Sequence, residues 1–390
     1  MGAVPRYDLD INRFSVDPYP DLKELRSCAP IAFIPQLNAT MITKQEDILE
    51  VGRRPDIFSS QQPNSLMNRL MGENLMRRDG AEHAYERNIV APAISPKKVS
   101  EVWRSQFQSN ADRIIHDLQP RGEADFITDF ALPFCAESLK LMTGLINVRY
   151  QDMDAWSQAM MDGISNYQGD PILEKRCQGA TSAIDAALDE MIPRALNEAP
   201  NSLLGAMIAA ALPIDRIRVN IKLAISGGQN EPRKAIAGTL WALLERSEQL
   251  EAVRSGAASW SDAFDEYVRW MPPISMIPRQ VATPVTLRGV DLAAGDRVLL
   301  MLASGNRDEE KIPFADQYDV KRDKVKSLSF GTGPHFCAGT WAARCMASDV
   351  ALPSVLHRLA NISVARDKKI QISGWVFRGL VNLPLRWTPN

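Results

Sequence analysis

The sequence predicts a mainly α-helical protein with a minor β portion, and two observations carry that expectation. From Ser95 to Trp270, apolar residues recur every three to four positions, the spacing of amphipathic helices. Short apolar and β-branched runs between Gly-containing turns are confined to the first fifty residues and the last third of the chain. No linker, repeat or low-complexity segment interrupts this texture, so one large domain over 1–390 is expected.

Near the N-terminus, residues 31–34 and 40–42 read as a hairpin across Leu37-Asn38, followed by a short helix over 44–51. Residues 61–75 lack periodicity and read as a loop lining a pocket. Ser95-Pro96 opens a helix on which Val99, Val102, Trp103, Phe107, Ala111, Ile114, Ile115 and Leu118 share one face. Helical stretches follow at 125–143, 150–165, 171–195 and 202–212, then a long helix from Pro213 to Ser247 and a shorter one over 261–270. Beyond Pro272-Pro273, strands are expected at 281–287, 290–292 and 297–303, separated by turns at Arg288-Gly289 and Ala294-Gly295. An irregular stretch, 306–327, leads into a Gly-rich segment, a helix over 338–359 and a strand-like tail over 375–387.

Composition removes several function classes. Forty-five Lys and Arg against 47 Asp and Glu leave a net charge of −2, without the basic excess of a nucleic-acid binder. No run approaches the roughly 18 apolar residues of a membrane span. The opening MGAVPRYDLD shows neither a secretory leader nor, with Arg6 at the sixth position, a myristoylation signal. A cytoplasmic location is the expectation. The five cysteines are odd in number and form no C-x-x-C pair, which points away from zinc and disulfide frameworks. Cys28, Cys135, Cys177 and Cys345 read as small buried hydrophobes.

Cys337 differs because of its neighbours. In Phe330-Gly331-Thr332-Gly333-Pro334-His335-Phe336-Cys337-Ala338-Gly339, one thiol sits among small residues just before a helix. Unpaired backbone N–H groups and the positive helix end there stabilise a thiolate. Gly331, Gly333 and Gly339 permit a tight loop and the close approach of a flat group.

The segment resembles the haem-ligand loop of the cytochrome P-450 superfamily, F-G-x-G-x-H-x-C-x-G, at every fixed position. The resemblance implies the cytochrome P-450 fold as a single large haem domain, haem b bound through Cys337, and dioxygen as co-substrate. A thiolate ligand pushes electron density toward iron and favours O–O cleavage. Companion motifs extend the resemblance along the chain. Glu266-Tyr267-Val268-Arg269 matches the family's E-x-x-R, whose structural ion network includes an Arg of the following meander, here Arg322. His83 and Arg87 match an H-x-x-x-R, and with Arg279 and His335 they are implied to hold the haem propionates, cations and N–H donors being suited to two carboxylates. The tail resembles the family's closing hairpin, which implies Val376 or Phe377 in a substrate pocket together with Ile274, Gly227 and Gly228.

On the long helix the family carries A-G-x-[DE]-T. This chain has Gly227-Gly228-Gln229-Asn230-Glu231-Pro232, with Asn230 at the acid position and Glu231 at the alcohol position. Glu231 is then the candidate proton donor if burial raises its pKa, and Pro232 is expected to loosen the helix. The amide-Glu-Pro run and the Gly-Trp-x-Phe-Arg-Gly tail are similar to those of bacterial aromatic O-demethylases, guaiacol O-demethylase among them. Met, Leu and Ile within 61–75 and 160–167 stand where that enzyme packs phenylalanines.

The resemblance implies a monooxygenase that O-demethylates a small methoxy-aromatic. Without a Rossmann fingerprint, flavin segment or iron–sulfur cysteine cluster, its electrons must come from a separate ferredoxin and/or flavin reductase, with Arg344 a candidate docking cation. A hydrogen-peroxide-driven haem-thiolate peroxygenase is the alternative, and a haem sensor or carrier without turnover is a third reading.

Overall fold

A computed structural model describes residues 4–389, so Met1, Gly2 and Ala3 of the opening segment lie outside the described residues. Helix accounts for 56% of the chain and strand for 12%, which makes the protein mainly α. Two compact units are present: Met1–Gln62, Gly238–Cys337 and Ile370–Val381 form the first, and Pro63–Ala237, Ala338–Lys369 and Asn382–Asn390 the second.

The first unit is built on a five-stranded sheet in the order Ile31–Ile34, Ala39–Ile42, Arg297–Leu300, Ile277–Val281, Phe58–Ser59. The first pair is the expected hairpin, with Asn38 in the left-handed region at its turn. Side-chain alternation sends Ala32, Ile34, Met41 and Leu299 to one apolar cluster and Ile31, Ile42, Val298 and Leu300 to another, so both faces of the sheet are buried. The expected strand over 281–287 is instead two strands, Ile277–Val281 and Val285–Leu287, belonging to different sheets. The expected strand over 297–303 stops at Leu300, and a helical turn, Leu302–Gly305, follows. Ser259 and Asp262 cap the helix Trp260–Trp270 reciprocally: the Asp262 N–H donates to Ser259 Oγ at 3.0 Å, and the Ser259 N–H donates to Asp262 Oδ2 at 2.9 Å.

In the second unit the Tyr150–Ile164 helix packs against Leu132–Thr143 and Pro171–Met191. A three-stranded sheet joins Glu123–Asp125, Pro384–Thr388 and Ala360–Val364. The stretch read as a loop over 61–75 contains a helix, Leu66–Met71, started by the Ser65 hydroxyl accepting from the Asn68 N–H. Its six residues are too few to show a period in the sequence.

The long helix spans Ile214–Leu244, ending three residues short of the expected Ser247, where a separate helix, Ser247–Arg254, begins. Pro232 lies inside the long helix, which stays helical throughout its 31 residues. Side chains on both sides of Pro232 bond to the Tyr150–Ile164 helix. No helix among the described residues is long and apolar enough to cross a membrane.

At Gly238 the long helix meets the ring of Tyr267: a Cβ added there would lie 1.8 Å from the phenol oxygen and 1.9 Å from Cζ. Gly238→Ala is therefore expected to lose about 1–3 kcal/mol to overpacking, read as a lower midpoint in denaturant unfolding.

Candidate functional site

Three of the five cysteines are ruled out by burial. Cys135, Cys177 and Cys345 are enclosed. Desolvation drives the Cys135 thiol well above its ordinary range, Cys177 up to about 11 and Cys345 up to about 12, so each stays a protonated, inert thiol. Cys28, expected to be buried, is exposed because it ends the surface helix Tyr19–Cys28. A helix C-terminus is the wrong end for a thiolate. Cys337 is exposed, three residues before the helical stretch that opens with Thr340–Arg344.

The loop presenting Cys337 is fixed by its backbone. The Cys337 N–H donates to the Phe330 carbonyl at 2.8 Å, Gly331 N–H to Leu328 O at 2.8 Å, and Phe336 N–H to Gly333 O at 3.0 Å. Gly331 and Gly333 occupy the left-handed region, at φ 72° and 68°. A Cβ on Gly333 would fall 2.1 Å from the Gly52 carbonyl oxygen, and one on Gly52 2.2 Å from Thr332 Cγ2, so two glycines permit the loop to lie against the end of the Gln45–Gly52 helix. The Phe330 ring packs between Phe264 and Phe336, with centroids 6.4 Å away on each side.

Behind this loop is a buried ionic knot. Arg269, only 1% exposed, donates through Nε to Glu266 Oε2 and through Nη2 to Oε1, both at 2.7 Å. Its remaining N–H groups reach the carbonyls of Asn306 (2.9 Å), Ala315 (2.8 Å) and Gln317 (2.9 Å). Arg322 Nε and the Asp319 N–H each donate to Glu266 Oε1 at 3.0 Å. Glu266, Arg269 and Arg322 are thus brought together.

Asn306, which the sequence reading passed over, ties the knot to the loop. Its Oδ1 accepts from the Leu328 N–H at 2.7 Å, and its Nδ2 donates to Ser329 Oγ at 2.9 Å. The Ser329 hydroxyl in turn donates to the Val268 carbonyl at 2.6 Å. The one available signal was an amide three residues after the apolar run Leu299-Leu300-Met301-Leu302-Ala303.

Other candidates in this unit are also placed. Arg279 is buried on the strand Ile277–Val281, and His335 is half-buried on the turn Gly333–His335. Ile274 and Phe377 form an antiparallel bridge, and the Ser275 N–H donates to Val376 O at 2.8 Å. Ile274, Val376 and Phe377 are therefore adjacent.

In the second unit, His83 is buried on the helix Gly80–Val90, and Arg87 lies one turn further along. Between them Glu86 is held by Arg216, whose Nε donates at 2.7 Å and Nη2 at 3.0 Å, and by Asn220 Nδ2 at 2.7 Å. Burial alone would raise the Glu86 carboxyl, but these partners outweigh it and the pKa falls below the ordinary value.

On the long helix Gly227 is exposed with open space around it, whereas a Cβ on Gly228 would strike Leu139 at 2.6 Å. The Asn230 amide is committed to structure: Nδ2 donates to Ser157 Oγ at 2.9 Å, and Oδ1 accepts from Arg233. Glu231 is partly exposed as a residue, but its Oε2 is enclosed without a hydrogen-bond partner. Burial pushes its carboxyl up to about 7 against the opposing pull of Lys234 and Arg233.

Comparison with known proteins gives a likeness to one family. Residues 261–386, which include the knot and the Cys337 loop, match the family model described as cytochrome P-450. Over that segment the chain is similar to the cytochrome P-450 superfamily. Over nine-tenths of it aligns with curated relatives: the steroid C26-monooxygenase of Rhodococcus jostii (26% identity, covering 92% of this chain and 80% of the relative) and the cytochrome P-450 monooxygenase PikC of Streptomyces venezuelae (25%, covering 96% and 92%). The crystal structure of CalO2 superposes with a TM-score of 0.86 at 22% identity, covering 99% of this chain and all of that one, which shows the shared fold. The enzyme class is oxidoreductase, of the monooxygenase type those relatives' names carry. The superfamily uses haem b and dioxygen.

The donor set of this protein fits such a group. One accessible sulfur stands on a loop that two left-handed glycines keep flat, and a haem iron needs a single ligand from that side. No group of three or more His, Cys, Asp or Glu side chains among the described residues forms a competing metal site.

Arg269→Met would leave the Glu266 carboxylate buried beside a weakened set of partners. About 3–5 kcal/mol of stability should be lost, visible as a sharply lower Tm in calorimetry.

Proposed function

We propose that this protein is a haem-thiolate monooxygenase whose haem would be held by Cys337, oxidising a small methoxy-aromatic substrate by O-demethylation. The observation that carries the reading is Cys337 itself: an accessible thiol on a hydrogen-bonded glycine loop, anchored through Asn306 and Ser329 to the buried Glu266–Arg269 pair. When bound, the haem supplies dioxygen activation and transfer of one oxygen atom to a C–H bond.

Every other part of the reading concerns what this chain's residues do. Phe330, Gly331 and Gly339 shape the bed around Cys337. His83, Arg87, Arg279 and His335 are the donors for the two propionates, charge-assisted bonds being the strong ones available to carboxylates. Ile274, Val376 and Phe377 are the substrate-contacting residues of the first unit, and Gly227 and Gly228 those of the second. Asn230 holds the long helix in place, and Glu231 donates protons, because burial raises its carboxyl and favours the protonated form. Cys337, His83 and the remaining donors act within a single haem domain over 1–390. Electrons arrive from a separate ferredoxin and/or flavin reductase, with Arg344 in the docking surface. Support for an aromatic substrate is the Gln229-Asn230-Glu231-Pro232 run and the tail Gly374-Trp375-Val376-Phe377-Arg378-Gly379.

The raised Glu231 also favours one second reading, a peroxygenase in which it takes a proton from hydrogen peroxide. Turnover with peroxide alone, faster than with any reductase, would select it.

Cys337→Ala should abolish the red-shifted carbonyl band of the reduced protein; an unchanged band refutes the ligand assignment. Titrating the oxidised protein with methoxylated benzoates and phenols should convert low-spin to high-spin iron. A steroid and a long-chain fatty acid, the classes for which some relatives are named, serve as the competing arm, and a shift confined to that arm ends the O-demethylase reading.

A further inference from the structure

The tail turn over 374–378 has two unlike sides. Ile274 and Phe377 stand opposite one another in an antiparallel bridge, so their side chains share one side, and both are half-buried. Successive side chains alternate, and Arg378, the next residue, is buried on the other side at 6% exposure. Its Nη1 donates to the Val16 carbonyl at 2.9 Å and to the Gly374 carbonyl at 3.0 Å. Its backbone N–H donates to the Pro273 carbonyl at 3.0 Å. One residue therefore ties together the end of the helix Ile11–Val16, the start of the turn and the residue before Ile274.

The turn itself has little slack. Gly374 lies in the left-handed region at φ 86°, and a Cβ there would fall 2.2 Å from the Phe377 carbonyl oxygen. Trp375 and Val376 pack into the cluster to which Phe14 and Leu22 belong, with the ring centroids of Phe14 and Trp375 5.4 Å apart. Phe377 is thus carried on a turn that the N-terminal helix holds in place.

Stability is a poor reason for an arginine here. Its Nε is enclosed without a hydrogen-bond partner, and no carboxylate among the described residues bonds the guanidinium. Besides two carbonyls it has the ring of Tyr19, whose centroid is 5.7 Å away. A charge buried on those terms costs more than an apolar side chain of equal volume. What arginine supplies is direction, because its rigid guanidinium fixes the angle between the two bonds.

We propose that Arg378 is a positioning residue: by joining the Ile11–Val16 helix to the turn, it holds the Phe377 ring beside Ile274 for contact with substrate. The inference rests on the reading of Ile274 and Phe377 as substrate-contacting residues, and it holds for whichever substrate is oxidised. It gives the N-terminal helix a part in specificity, exerted through one guanidinium.

A double-mutant cycle on the haem-loaded protein tests this. The probe is phenylimidazole, whose nitrogen ligates haem iron and whose ring fills the space beside it, and its dissociation constant is read from the Soret shift. Phe377→Ala should weaken binding about tenfold, the loss of one apolar ring contact. Arg378→Met, which keeps the stem and removes the donors, should weaken it about fivefold with Phe377 in place. In the Phe377→Ala background the same change should cost less than about twofold. Arg378→Lys, which keeps the charge without the rigid fork, should fall between wild type and Arg378→Met, and it replaces Arg378→Met in the cycle if that variant does not fold. A lower Tm with wild-type affinity in the arginine variants marks a merely structural role and overturns the inference. Equal weakening with and without the Phe377 ring also overturns it. Wild-type affinity in Phe377→Ala overturns the substrate-contact reading of Phe377, and the inference with it. The expected cycle in a protein that no methoxy-aromatic converts to high spin upholds the positioning role and ends the O-demethylase reading alone.

Discussion

A buried guanidinium is among the costlier groups a fold can enclose, and Arg269 is enclosed almost completely. It is tolerated because its donors are matched by five acceptors: two carboxylate oxygens on its own helix and three carbonyls from the segment after residue 305. That segment has little regular structure to fix its path, so the arginine supplies the order that a ladder of backbone bonds would otherwise give. Asn306 passes the order on to Leu328 and Ser329, and from there the glycine loop carries it to Cys337. A sulfur that must hold its position is thereby tied to the one charge that cannot move without being stranded.

The helical unit answers a similar problem differently. Proline removes a donor from the middle of the long helix at Pro232. Gln229, Asn230 and Arg233 surround that position with bonds to a neighbouring helix, and the helix persists. The Gln229 Oε1 and the Glu231 Oε2 are the two enclosed oxygens of the run that these bonds leave without a partner.

Much of this was legible in the sequence, and the parts that were not have physical reasons. The hairpin over 31–42 and the helix Trp260–Trp270 show clear periods and good end signals, so their bounds were read to within a residue or so. The strand Ile277–Val281 was misplaced because Pro278 and Arg279 look foreign to a sheet. Proline lacks a ladder donor, and a charge on a buried strand has no pattern to betray it. The end of the long helix was overrun because apolar spacing continues through Leu250 and Val253, while the break at Arg246 is a matter of backbone angle alone. For the site, the Cys337 loop and the Glu266–Arg269 pair were visible as local spacing. Asn306 was not, since its importance lies in donors supplied by residues 22 and 37 positions away.

The contact between Gly333 and Gly52 has an implication for the order in which the molecule is assembled. The helix ending at Gly52 leaves the ribosome early, while its mate is made some 280 residues later. A pairing so distant in sequence pays a large chain-closure entropy before it gives anything back. The cysteine loop thus takes its final shape only after most of the chain has been synthesised.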